Sequence, residues 1–86
     1  MFGAPAKMNV SVLFFGATAA ITGRRVVRME IAEGEAAGSV FQRVIDGHPK
    51  LSKQDLHFSI NQEYASGNES LVDGDELAIF TAVSGG

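Results

Sequence analysis

Apolar and polar residues alternate with a period of two along several stretches of this chain and recur at helical spacing in one, and that change of period outlines the fold. From Met8 to Phe15, Val10, Val12 and Phe14 alternate with Asn9, Ser11, Leu13 and Phe15, which predicts a strand with its even face on a core. The odd face begins polar and ends apolar, which is unusual for a face turned to water. Gly16 breaks the strand, and Ala17 to Ile21 predicts one helical turn closed by Gly23. Arg24 to Ile31 predicts a second strand, antiparallel to the first, with Val27, Met29 and Ile31 inward and Arg28 and Glu30 in water. Ala32 to Gly38 reads as a loop of small residues.

Ser39 to Asp46 predicts a helix. Ser39 and Gln42 have the spacing of a capping box, and Val40, Phe41, Val44 and Ile45 form one apolar stripe. Gly47 fits a left-handed stop and Pro49 prevents continuation, so Pro49 to Asp55 is expected to be a connecting loop. Leu56 to Asn61 predicts a third strand with Phe58 and Ile60 inward, turning at Asn61-Gln62 into a short edge strand from Glu63 to Ala65. A polar loop from Ser66 to Ser70 leads through Leu71 and Val72 to the turn Asp73-Gly74-Asp75. The last strand, Glu76 to Thr81, turns Leu77 and Ile79 inward and Ala78 and Phe80 outward. The order β-β-α-β-β-β calls for an α+β layer pair, a sheet with one main helix packed across one face. The expected core is Val10, Val12, Phe14, Val27, Met29, Ile31, Val40, Phe41, Val44, Ile45, Phe58, Ile60, Leu77 and Ile79.

At 86 residues the chain makes one domain with a modest core, burying roughly 60–65% of its unfolded surface. The absence of cysteine removes disulfides, thiolate metal sites and a cysteine nucleophile. Net charge is −3, and Arg24, Arg25, Arg28 and Arg43 are scattered among acids without aromatic interleaving, which argues against nucleic acid as a partner. No apolar run approaches the ~20 residues of a membrane span. Residues 1–7 are too short for a signal peptide and read as a flexible N-terminal tail. His48 and His57 lack ligand spacing, and Asp-Gly-Asp is a turn sequence before it is a metal loop, so no metal site is expected. No glycine-rich phosphate loop follows a strand, so any ATP would belong to a partner.

The strongest candidate for chemistry is the end of the sequence. Six residues after Phe80 the chain stops at Gly85-Gly86. Without a Cβ, such a pair offers a slender backbone that fits a narrow channel and ends in a carboxylate. Val12-Leu13-Phe14-Phe15 with Gly16 and Thr22-Gly23 resembles the start of the small subunit of molybdopterin synthase. Leu71-Val72-Asp73-Gly74-Asp75-Glu76-Leu77-Ala78 with Val83-Ser84-Gly85-Gly86 resembles its end. The likeness, to the MoaD/ThiS group of ubiquitin-like sulfur carriers, covers residues 8–86 as a pattern and is sharpest at the two ends.

That resemblance implies a β-grasp domain over residues 8–81 with sheet order 2-1-5-3-4, followed by a flexible Gly-Gly tail, 82–86. The first and last strands would then be neighbours. Leu13 and Phe15 would lie beside Ala78 and Phe80 as an apolar patch for partner docking. It further implies that Gly86 is the reacting group, adenylated by an E1-like adenylating enzyme that uses ATP and Mg and then converted to a thiocarboxylate by a sulfur donor protein. Val83, Ser84 and Gly85 would thread the partner's channel. The large subunit of molybdopterin synthase would supply the catalytic side chains and take the sulfur for the dithiolene. This chain would be a non-catalytic, cytoplasmic protein cosubstrate that binds no cofactor itself.

The sequence departs from the family at Thr81-Ala82, where Pro-Pro is common, and at Gln62, where glycine is common. The residues also admit a sulfur carrier for thiazole or another pathway, a modifier whose Gly86 is conjugated to lysines, or a plain β-grasp interaction module. Intact mass after incubation with an activating enzyme, ATP and a sulfur donor separates these.

Overall fold

The computed structural model describes residues 7–81; residues 1–6 of the predicted N-terminal tail 1–7, and the whole predicted C-terminal tail 82–86, lie outside the described residues. The strand and helix periods produce the elements they predict, in order β1 (Lys7–Phe14), α1 (Ala17–Thr22), β2 (Val26–Ala32), α2 (Ala37–Gly47), a 3-10 helix (Pro49–Lys53), β3 (Leu56–Ile60), β4 (Glu63–Tyr64) and β5 (Glu76–Thr81). Lys7, expected in the tail, is the first residue of β1 and pairs with Ala32. Its ammonium lies 3.3 Å from Glu30.

The sheet order is β2-β1-β5-β3-β4. β1 runs parallel to β5, with Val12 opposite Leu77 and Leu13 opposite Ala78. The neighbouring pairs β1–β2, β3–β5 and β3–β4 are antiparallel. α2 and the 3-10 helix cover one face. Under them Val10, Val12, Phe14, Ile31, Val40, Phe41, Val44, Leu77 and Ile79 are buried as expected. Val27, Met29, Phe58 and Ile60 are half-buried against that core. Phe41 meets Phe58 with ring centroids 4.1 Å apart, which ties α2 to β3.

The expected capping box does not form. α2 begins two residues before Ser39, and its first amides are satisfied by main-chain carbonyls from a distant loop: Ala37 N–H donates to Glu69 O at 2.8 Å and Gly38 N–H to Gly67 O at 2.9 Å. Glycine at position 38 eases this close approach, since a Cβ there would lie 3.0 Å from Gly67 O, tighter than an ordinary contact. Ser39 and Gln42 bond elsewhere, to Glu35 and Asp46. Gly47 does not make the left-handed stop either. Gly47 is the last helical residue, without a positive φ, and His48, with φ −136°, caps the helix.

The segment from Pro49 is not a plain loop. Its 3-10 turn carries Leu51 into the core at 0% exposure, in the same cluster as Leu71. The Asn61-Gln62 turn forms as expected with φ of 49° and 73°, a left-handed pair that Asn tolerates well and Gln less so.

Candidate functional site: the open face of the sheet

The face away from α2 has no covering element among the described residues, and its character changes along the strands. At one end, Ser11 of β1 pairs with Arg28 of β2 and Glu76 of β5, a polar row. One step on, Val26, Leu13, Ala78, Ser59 and Tyr64 stand in register across all the strands. The next row holds His57 opposite Phe80, with Phe15 just past the end of β1. The apolar end of this face is therefore the end at which β5 finishes.

Of the predicted patch residues, Phe15 is 52% exposed, and Leu13 and Phe80 are half-buried. Ala78 needs correction. It faces the open side but is only 8% exposed, because its small side chain is walled in by larger neighbours in the row. It forms the floor of a shallow depression of about 150 Å³ whose sides include Leu13, Phe15 and Phe80. Val83, Ser84, Gly85 and Gly86 lie outside the described residues.

Sequence reading missed three residues of this surface. Val26 is 52% exposed beside Leu13, and Tyr64 is 80% exposed on the edge strand. His57 stacks on Phe80 at 5.9 Å and meets Tyr64 edge-on at 6.5 Å, so an aromatic trio extends the patch toward β4. The outward phase of His57, opposite Phe58, was a signal available in the alternation. The place of Tyr64 depended on the hairpin register.

The turn before β5 is held by its own acids. Asp73 Oδ1 accepts the Asn9 N–H at 2.7 Å, and Gly74, at φ 89°, donates its N–H to Asn9 O at 2.8 Å. Buried Asp75 accepts from Val72 N–H and from the Asn61 side-chain amide, both at 2.9 Å. Asn61 Oδ1 in turn accepts the Glu76 N–H at 3.0 Å. These carboxylates lock the start of β5 to β1 and to the β3–β4 turn, and so fix the register that builds the patch. No helix among the described residues is long and apolar enough to cross a membrane.

A five-stranded mixed sheet in this order, with one main helix across one face, defines a ubiquitin-like β-grasp protein of the α+β class. The chain belongs to the ThiS family, whose model matches residues 12–86. It is 32% identical over 83 residues to a molybdopterin synthase sulfur carrier subunit of Chlamydomonas reinhardtii, covering 92% of this chain and all of that protein. A molybdopterin synthase sulfur carrier subunit of Homo sapiens is 33% identical over 83 residues, covering 91% of this chain and 94% of the human one. The crystal structure of small archaeal modifier protein 1 from Haloferax volcanii superposes with a TM-score of 0.78 at 26% identity, covering 88% of this chain and 99% of that one.

Proposed function

We propose that this chain is a sulfur carrier that serves as the small subunit of a molybdopterin synthase, with Gly86 as its reacting residue. What supports the reading is an apolar patch where β5 finishes, in a ThiS-family chain whose sequence then runs from Thr81 to Val83-Ser84-Gly85-Gly86. A carboxylate is a poor acyl donor because oxide would have to leave, so it must be activated. An E1-like enzyme holding ATP and Mg receives the patch while the tail enters its channel. The Gly86 carboxylate attacks the α-phosphorus and pyrophosphate leaves. A sulfur donor protein then delivers sulfur at the oxidation level of sulfide, which attacks the carbonyl carbon, and AMP departs with the former carboxylate oxygen. The thiocarboxylate is carried in the cytoplasm to the large subunit, which supplies the catalytic side chains for dithiolene formation.

Intact mass spectrometry of the protein after incubation with the activating enzyme, ATP and a sulfur donor tests this. The expected result is replacement of one oxygen by sulfur, lost when Gly86 is deleted or when one residue is added after it. Acquisition of sulfur by either altered chain defeats the reading, since adenylation geometry does not tolerate a displacement of a whole residue. A second reading is favoured by the 30% identity, over 82 residues, to the Haloferax volcanii protein named a small archaeal modifier. In it the activated Gly86 forms isopeptide bonds with lysines, and the same assay run on a lysate gives conjugates in place of a thiocarboxylate.

A further inference from the structure

The sheet has two edges of unequal length. β4 ends one side with two residues, Glu63–Tyr64, and β2 ends the other with seven, Val26–Ala32. In an antiparallel ladder, residues whose main-chain groups bond to the neighbour alternate with residues whose groups point away from it. The Phe14 N–H donates to Arg25 O at 2.9 Å, so Arg25 faces β1. By alternation Val27, Met29 and Ile31 also face β1, and Val26, Arg28, Glu30 and Ala32 turn their N–H and C=O groups to the free edge. No strand among the described residues pairs with that edge, and such a row is a template for another strand. The core is open there as well. Val27 and Met29 are only half-buried, whereas Val12 and Val10, opposite them on β1, are sealed.

The sequence of this edge is its own complement. When a second copy adds to β2 antiparallel, about a two-fold axis through Met29, Arg28 lies opposite Glu30 of the second copy and Val26 opposite its Ala32. These pairs exchange the edge-facing main-chain bonds. Val27 opposite Ile31, and Met29 opposite Met29, continue the covered face across the junction. Sliding the register by two residues sets Arg28 against Arg28 or Glu30 against Glu30, and like charges directly opposite are destabilising. Sliding by one turns each strand's inner residues to the wrong face. Charged side chains on an edge ordinarily deter pairing; here their opposite signs select one register. Arg28 has no ion pair among the described residues, and Glu30 has only Lys7, at its Oε1. Within the chain Arg28 and Glu30 stand opposite the neutral Ser11 and Asn9.

We infer that β2 is a self-association edge, at which two copies of this chain join β2 to β2 in an antiparallel pair centred on Met29 and make one continuous sheet. The interface is isologous, the same segment serving both copies. One strand pair buries little area, so the dimer is weak and reversible. The inference goes beyond the sulfur-carrier reading and does not rest on it. Leu13, Phe15 and Phe80 lie on the open face, away from the β2 edge, and stay uncovered in the dimer.

Sedimentation velocity and amide hydrogen exchange of the full chain, diluted from about 1 mM to about 10 μM, test this across the range of a weak interface. The wild type should associate at the concentrated end, with exchange at the Arg28 and Glu30 amides slow there and fast on dilution. Arg28→Glu and Glu30→Arg should each weaken association by roughly tenfold, because like charges then face each other at both symmetric positions, while the melting temperature stays near that of the wild type. Mixing the two single variants should restore association, since each supplies the sign the other lacks. Both changes in one chain should restore it too. A wild type that is monomeric at the concentrated end, a mixture no more associated than its components, or a dimer indifferent to both single changes overturns the inference. So does protection of the Arg28 and Glu30 amides that dilution leaves unchanged, which would mean that the chain covers the edge itself.

Discussion

The two faces of the sheet are cut from the same strands, yet they do different work. On the helix side, Val10, Val12, Leu77 and Ile79 are sealed beneath α2 and the 3-10 turn. On the other side the residues between them grade from Ser11, Arg28 and Glu76 to Leu13, Phe15 and Phe80. The first face is closed by this chain itself, so its apolar area stabilises the fold. The second is apolar only at the end where β5 finishes, so its apolar area is available to a partner. A strand alternation therefore separates the covered face from the exposed one at a spacing of one residue. The adjacent pair Leu77 and Ala78 belongs to opposite faces.

Substitutions can break that division. The largest effect is expected from Leu77→Ala, which opens a cavity at the centre of the covered face and should cost about 3 kcal/mol in denaturant unfolding. A loss below about 1 kcal/mol would show that the helix side is not the principal core. Next comes Phe15→Ala on the open face. It should weaken binding to the activating enzyme by about 2 kcal/mol while the melting temperature barely moves. The reverse pattern, with affinity kept and melting lowered, would make Phe15 a core residue.

Asp75→Ala lies between the faces. It removes the acceptor for Val72 N–H and Asn61, and should cost about 1–2 kcal/mol. Because it loosens the start of β5, it should also disturb amide shifts at Ala78 and Phe80. Shifts confined to the turn would mean that the turn does not set the open-face register.

The smallest effect concerns Glu69, whose carboxylate is held below the usual glutamate range by the Ser66 N–H first, then by its own amide and that of Gly67. A depressed value in the fold means that this contribution is present above the ordinary glutamate value and fades as the pH falls through the lowered one. Amide exchange at Gly38 and Gly67 should rise on acidification in that window and be independent of pH there in Glu69→Gln. An identical pH response in both proteins would assign the change to another group.

The period-two and helical stripes made the element order, the covered face and the outward phase of Leu13, Phe15 and Phe80 legible, because each depends on residues close in sequence. Where sequence reading failed, the deciding partner was far away. The capping box between Ser39 and Gln42 lost to carbonyls of Gly67 and Glu69. Leu51 stands alone among Pro49, Lys50, Ser52 and Lys53, with no period to reveal it, and only tertiary packing of the 3-10 turn against α1 and α2 buries it.

The sequence by itself determined which residues could be apolar neighbours, a turn at Asn61-Gln62 and the family, through the turn before β5 and the pair Gly85-Gly86. Tertiary structure decided which of those apolar residues a partner can reach. That depends on β1 and β5 lying parallel, with Leu13 opposite Ala78. A parallel pairing joins segments more than sixty residues apart, and no local preference specifies it. It forms because it lets both strands bury their inner residues under one helix.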